Sequence, residues 1–138
     1  MIRTMREIKF RAKYFDKWYF GIIVTRKVKD KGRMRNIYIL MGLDNENWIP
    51  LREDQYDTIG QFIGLHDKNG KEIYEGDIVK EKESGIIGYI AFHKQSACFR
   101  IVFSKSDTGL GNRGIPGTFL EVIGNIADNP ELLKGGEE

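Results

Sequence analysis

The chain has 138 residues, 41% of them hydrophobic, with a single cysteine and a formal net charge of +2. At this length roughly two-thirds of the unfolded surface can be buried, so neither a metal nor a disulfide is needed to hold the fold together. The lone Cys98 excludes an internal disulfide. Since no run approaches the roughly 20 apolar residues of a membrane helix, we expect no membrane partner.

Charge is divided unevenly along the chain. Residues 1–38 hold 12 Lys and Arg against 3 Asp and Glu, whereas residues 39–138 hold 10 against 17. Such a split predicts a polyanionic partner, or a basic face that docks on an acidic face of the same or a neighbouring chain. Both interpretations fit the sequence.

The first forty residues predict an antiparallel β-meander. Residues 8–14 alternate apolar and cationic side chains, with Ile8 and Phe10 on the predicted core side. This period of two is typical of a half-buried strand. A second strand starts at Trp18, the segment 30–32 predicts a reversal, and a third strand returns through residues 35–41.

The cationic side of the first strand is a candidate contact surface, formed by Lys9, Arg11, Lys13 and Trp18. Cations interleaved with aromatic rings are typical of surfaces that bind single-stranded nucleic acid, because bases stack on the rings. The same cations could keep a strand edge from pairing with other chains. They could also dock on the acidic part of another subunit, which is the interpretation we favour.

Patterning predicts a single domain over residues 1–134 that is built from two β subdomains. A connector without clear periodicity separates them, and its Pro50 is not tolerated in a central strand. The predicted parts are residues 1–41, the connector 42–59, residues 60–134 and a disordered tail at 135–138.

The clearest local signal is a β-hairpin over residues 60–80. Asn69 and Gly70 supply the positive φ angles of a tight reversal, and Gly76 with Asp77 makes a second bend. We predict that these four residues have structural roles in turns.

Further short strands follow the hairpin, with turn residues between them. The predicted strands cover residues 77–83, 86–94, 97–104 and 119–126, with a polar, glycine-rich loop at 104–118. Asn129 and Pro130 predict a short terminal helical turn. Ile126 is placed in the core. The sequence therefore predicts an all-β protein, an antiparallel meander followed by a small barrel-like or SH3-like unit.

Residues 109–114 match G-x-G-x-x-G, but the context does not fit nucleotide binding. Pro116 and Gly117 follow at once and lead into a strand, so no helix can begin where a pyrophosphate would bind. His66, His93 and Cys98 lack the spacing of a metal site. We expect no metal, no cofactor and no catalytic residue.

One set of acidic residues supports a minor enzymatic alternative. Glu72, Glu75 and Asp77 could converge as the paired carboxylates of a metal-dependent hydrolase or nuclease. Each of them is more simply explained as a turn residue.

Three blocks resemble the YopX family of small phage and prophage proteins. They are Arg6-Glu7-Ile8-Lys9-Phe10-Arg11, the stretch from Gly64-Leu65 through Asp67-Lys68-Asn69-Gly70-Lys71-Glu72-Ile73-Tyr74-Glu75-Gly76-Asp77 to Val79, and the stretch from Leu120 to Leu132. His66 departs from the pattern, since a lysine is common there. The resemblance implies a predominantly β fold, a phage accessory gene, a bacterial cytoplasmic location and a start at Met5. It implies no assigned activity.

The residues and the resemblance together predict a non-enzymatic interaction module. We expect it to form a homo-oligomer and to act on a host or phage protein. Binding of single-stranded nucleic acid by the basic strand is the alternative function.

Overall fold

In the computed structural model, the described residues are 7–42, 47–103, 107–111 and 114–134. The chain is mostly antiparallel β-structure, which confirms the predicted all-β class. It divides into two compact units, residues 1–61 and 62–138. The predicted tail at 135–138 and the predicted start at Met5 lie outside the described residues.

The first unit is built on consecutive antiparallel strands. The sheet order is β4-β3-β2-β1-β5, so β1 to β3 form the predicted meander and β4 extends it. The unit boundary falls inside β5, whose first two residues pair with β1. The strands are β1 (Phe10–Tyr14), β2 (Lys17–Asp30), β3 (Arg33–Gly42), β4 (Trp48–Pro50) and β5 (Gly60–His66).

Part of the predicted connector contributes to the core of the first unit. After β4, residues Glu53–Thr58 form a 3₁₀ helix whose Tyr56 packs against the cluster of Ala12, Leu40 and Leu51. The hydroxyl of Thr58 accepts a 2.9 Å hydrogen bond from the backbone N–H of Lys13. Pro50 lies at the end of β4, an edge strand, where its missing N–H removes no ladder bond that the sheet needs.

The second unit contains an open sheet in the order β10-β9-β8-β7-β11, and the latter part of β5 pairs with β6. A helical turn, α1 (Glu131–Lys134), follows the last strand, as the Asn129-Pro130 signal predicts. The strands are β6 (Glu72–Tyr74), β7 (Asp77–Glu81), β8 (Ile87–His93), β9 (Cys98–Val102), β10 (Asp107–Gly109) and β11 (Leu120–Asn125).

The core of the second unit lies between this sheet and the β5–β6 hairpin. Ile73 of the hairpin packs with Val79, Ile90, Ile101 and Leu120, all of them fully or almost fully buried. Removing this apolar surface from water is the main force that holds the hairpin on the sheet.

Two predicted core positions are wrong. Ile8 is exposed because it precedes the first residue of β1, so the strand alternation does not yet apply. Ile126 is exposed because β11 ends at Asn125 and Ile126 lies in the turn that follows. The glycine-rich loop is also shorter than predicted, since residues 107–109 form the edge strand β10 against β9.

The predicted positive φ is present at Gly70 and Gly76, but the positive φ predicted for Asn69 is wrong. The reversal runs from Asp67 to Gly70, so Gly70 is the one left-handed residue that it needs. Gly70 has a φ of 83° and Gly76 a φ of 92°. The N–H of Gly70 donates a 2.9 Å hydrogen bond to the carbonyl oxygen of Asp67, which closes the reversal between β5 and β6. Nothing lies within 4 Å of a Cβ added at Gly70, so backbone conformation alone favours glycine there.

We predict that Gly70→Val lowers the free energy of unfolding by about 1 kcal/mol or more, because a β-branched residue is strained at positive φ. Gly70→Asn is the matched control, since asparagine tolerates the left-handed region and should cost less. Urea denaturation of both variants measures the difference. An equal midpoint for Gly70→Val and the wild type would contradict the assignment.

Candidate interaction surface

Strand register brings a set of aromatic, aliphatic and cationic side chains to one side of the first sheet. Arg11 lies opposite Phe20 and Lys13 opposite Trp18, so these four side chains share a face. The row of Ile22, Met41 and Trp48 continues the same face across β2, β3 and β4. This outer face is defined by Arg11, Lys13, Trp18, Phe20, Ile22, Met41 and Trp48.

Large apolar side chains on the outer face are open to solvent. Phe20 is 48% exposed, Ile22 39% and Trp48 55%. On the opposite side of the same strands, Ala12 and Leu40 are completely buried. Scattered exposed apolar residues are ordinary, but adjacent ones on one sheet face mark a surface that a partner can cover.

The candidate contact surface of Lys9, Arg11, Lys13 and Trp18, called the basic strip below, lies partly on this face and is more packed than expected. Arg11 is only 7% exposed, and its guanidinium carbon lies 4.7 Å from the centroid of the Trp18 ring. This is a diagonal cross-strand contact of the cation–π type. The Nζ of Lys9 lies 3.5 Å from a carboxylate oxygen of Glu7. These two cations are therefore held against the protein.

The carboxylates of the minor enzymatic alternative make local contacts. Asp77 is buried and accepts a 2.7 Å hydrogen bond from the backbone N–H of Tyr74. An oxygen of Glu72 accepts a 3.1 Å bond from the Tyr74 hydroxyl. The bond to Asp77 spans the bend between β6 and β7, whereas the bond to Glu72 lies within β6.

Sequence reasoning missed the role of Asp67, a buried carboxylate that connects two distant segments. Its Oδ1 accepts hydrogen bonds from the N–H groups of Asn69 and Lys71, each at 2.9 Å. Its Oδ2 accepts a 3.0 Å bond from the N–H of Val122 in β11. The aspartate two residues before Asn69 is an Asx-turn signal that predicts the first bond, whereas the bond from Val122 has no local signal.

Burial and hydrogen bonding act on Asp67 in opposite directions. Burial alone would raise the pKa of this carboxyl, but the N–H groups of Val122, Lys71 and Asn69 outweigh that effect and hold the pKa below its usual value. The carboxylate is therefore the form that the fold stabilises.

The histidines also make local contacts. The His66 ring packs edge-on against Phe62, with centroids 5.6 Å apart. The Nδ1 of His93 lies 2.7 Å from the Ser96 hydroxyl oxygen, which lies 3.2 Å from the Cys98 sulfur. Over the described ranges, no cluster of three or more His, Cys, Asp or Glu side chains could hold a metal ion. Within the same ranges, no helix is long and apolar enough to cross a membrane.

Fold and surface define an all-β protein of two antiparallel units with an exposed, partly cationic sheet face. Residues 9–134 match the family model described as YopX protein, and the chain belongs to the YopX family. The fold is similar to the crystal structure of protein EF1440 from Enterococcus faecalis, with 22% identity and a TM-score of 0.51. That match covers 94% of this chain and 99% of the other. Among curated proteins, none matches this chain.

We predict that Asp67→Asn destabilises the protein by about 1–3 kcal/mol near neutral pH, because an amide NH₂ cannot accept the bonds that one oxygen accepts now. Since the pKa of Asp67 is lowered on folding, its contribution is complete above the unfolded value of about 3.9 and is lost as pH falls through the lower folded value. The difference in unfolding free energy between Asp67→Asn and the wild type should therefore become smaller as the pH falls.

Urea midpoints measured from neutral pH into the acid range test this, with Glu83→Gln as an exposed carboxylate-to-amide control in the same unit. If the difference in urea midpoint between Asp67→Asn and the wild type stays constant across that range, the ionised carboxylate of Asp67 is not what stabilises the fold.

Proposed function

We propose that this protein is a non-enzymatic interaction module that self-associates through the outer face of its first unit. The observation that carries the proposal is the adjacency of Phe20, Ile22 and Trp48, all exposed on one sheet face. Full burial of a large apolar side chain is worth about 1.5–3 kcal/mol. Because these three are already about half buried, covering the rest of each one contributes roughly 1 kcal/mol to association.

Charge complementarity favours a second copy of the chain as the partner. Residues 1–61 hold 13 Lys and Arg against 8 Asp and Glu, whereas residues 62–138 hold 9 against 12. Two basic first units facing each other would repel. The first unit of one copy therefore fits the acidic second unit of the next copy, which is a heterologous contact.

Membership of the YopX family supports a proposal about the cell in which the protein acts. Because the chain resembles a family of small phage and prophage proteins, we infer that it acts in a bacterial cytoplasm as a phage accessory component. A host or phage protein would be the target on which the assembly acts.

The alternative function, binding of single-stranded nucleic acid by the basic strip, has less support. A base would need an open aromatic face on which to stack. The Arg11 guanidinium already lies over the Trp18 ring, and burial of Arg11 keeps its charge from projecting into solvent.

We predict an oligomer at low salt whose molar mass is a multiple of the 15.9 kDa chain. Light scattering coupled to size exclusion should show the mass falling towards one chain as salt screens the charge complementarity. Replacing Phe20 and Trp48 together by serine should give a monomer under all conditions.

Ile8→Ser combined with Met34→Ser is the matched control, because both side chains are exposed, apolar and in the first unit, but neither belongs to the outer face. This control should assemble like the wild type. If the wild type is a monomer at every salt concentration, the proposal of self-association is wrong. If both variants lose the oligomer equally, the outer face is not the site of association.

A further inference from the structure

The β2–β3 hairpin extends beyond the rest of its sheet. β1 pairs only with residues 17–21 of β2, and β4 pairs only with residues 39–41 of β3. Beyond these residues, towards the tip of the hairpin, β2 and β3 remain paired with each other up to Asp30 and Arg33. Over the described residues, the hairpin end is therefore a two-stranded ribbon without a third strand on either edge.

This ribbon is strongly basic. We call residues 26–35 the basic arm; they contain six Lys and Arg and one acidic residue. Apart from the half-buried Val28, every residue of the arm is exposed. Its cations are Arg26, Lys27, Lys29, Lys31, Arg33 and Arg35.

Register distributes these cations over both faces and the tip of the arm. Lys27 and Lys29 are on one face, whereas Arg26 and Arg33 are on the other. Lys31 lies in the two-residue turn at the tip, with a φ of 51°. A ribbon that docks flat on an anionic surface needs positive charge on one face only. Charge on both faces is the arrangement that a groove walled by two anionic strands requires.

Few carboxylates neutralise the arm. Arg35 is paired, with its Nη1 2.9 Å from Glu53 and its Nε 3.4 Å from Asp30, and the pair with Glu53 links the arm to the 3₁₀ helix of the first unit. The other five cations have no carboxylate within ion-pair distance among the residues that the structure describes. Arg35 is therefore the one cation of the arm that a described carboxylate neutralises, and the positive charge of the rest of the arm is available to an anionic partner.

We propose that the basic arm binds double-stranded DNA by entering the major groove. That groove is about 12 Å wide and admits a two-stranded β-ribbon, and its phosphates flank the ribbon on both sides. A single strand is a poorer fit, because residues 26–35 contain no aromatic side chain on which bases could stack. Double-stranded RNA fits less well too, since its major groove is deep and narrow.

Duplex binding should show the salt dependence of counterion release. With five cations on phosphates, the log–log plot of affinity against salt should have a slope of about −4.5, from about −0.9 per contact. Fluorescence anisotropy with a labelled duplex of about 20 base pairs, from about 50 mM to about 500 mM NaCl, measures this slope. A single strand of the same length should bind more weakly.

Replacing Lys27, Lys29 and Arg33 together by serine should flatten the slope by about 2.7, because three contacts are lost. Lys31 is left in place so that the turn is unchanged. The matched control replaces Lys17, Lys80 and Lys94, which are exposed lysines outside the arm, and it should keep the wild-type slope. Circular dichroism melting of both triple variants confirms that they are folded.

The proposal is supported if the wild type and the control variant bind duplex and the arm variant does not. Absence of duplex binding at low salt, tighter binding of the single strand, or equal loss in both triple variants overturns it. In the first of these cases the lysines act only to keep the exposed strand edges from pairing with other chains. Self-association is tested separately, since replacing Phe20 and Trp48 by serine leaves the arm unchanged and should keep the wild-type salt slope for duplex.

Discussion

Unequal strand lengths are the constraint on which the organisation of the first unit depends. β2 has 14 residues and β3 has 10, but their outer neighbours β1 and β4 have 5 and 3. The sheet can therefore be wide only near the base of the β2–β3 hairpin. At that base its inner side builds a core around Leu40, and its outer side keeps Phe20 and Trp48 in solvent. Beyond the base the same two strands continue as the basic arm.

The sequence predicts this arrangement where local signals decide it. Alternation in residues 8–14 indicates β1, and the Lys31-Gly32 reversal indicates the tip of the long hairpin, whose two residues both have positive φ. The turns at Gly70 and Gly76 follow from the same chemistry. Local signals do not show where a strand loses its neighbours, because pairing length depends on the partners. The sequence therefore shows the excess of cations in residues 1–38 but does not show the arm.

Long-range contacts explain the other differences between the sequence-based predictions and the structure. Alternation correctly places Arg11 and Lys13 on the side away from Ala12, but it does not show that Trp18 lies diagonally across from Arg11 and covers its guanidinium. Likewise, an Asx-turn signal is present at Asp67, whereas the bond from Val122, 55 residues away, depends on the packing of the β5–β6 hairpin against β11. In both cases the contact depends on how strands pack, which no local pattern shows.

The central claim is that the outer face is buried when the protein assembles. The chain has two tryptophans, Trp18 and Trp48, and both lie on this face, so tryptophan fluorescence, excited beyond the absorption of the six tyrosines, reports on it alone. Acrylamide quenching should be followed across protein concentration in the wild type and in Trp48→Phe, with the molar mass measured on the same samples. The account predicts that quenching of Trp48 falls and its emission shifts to shorter wavelength as mass increases. A rise in mass with unchanged accessibility of Trp48 would contradict it.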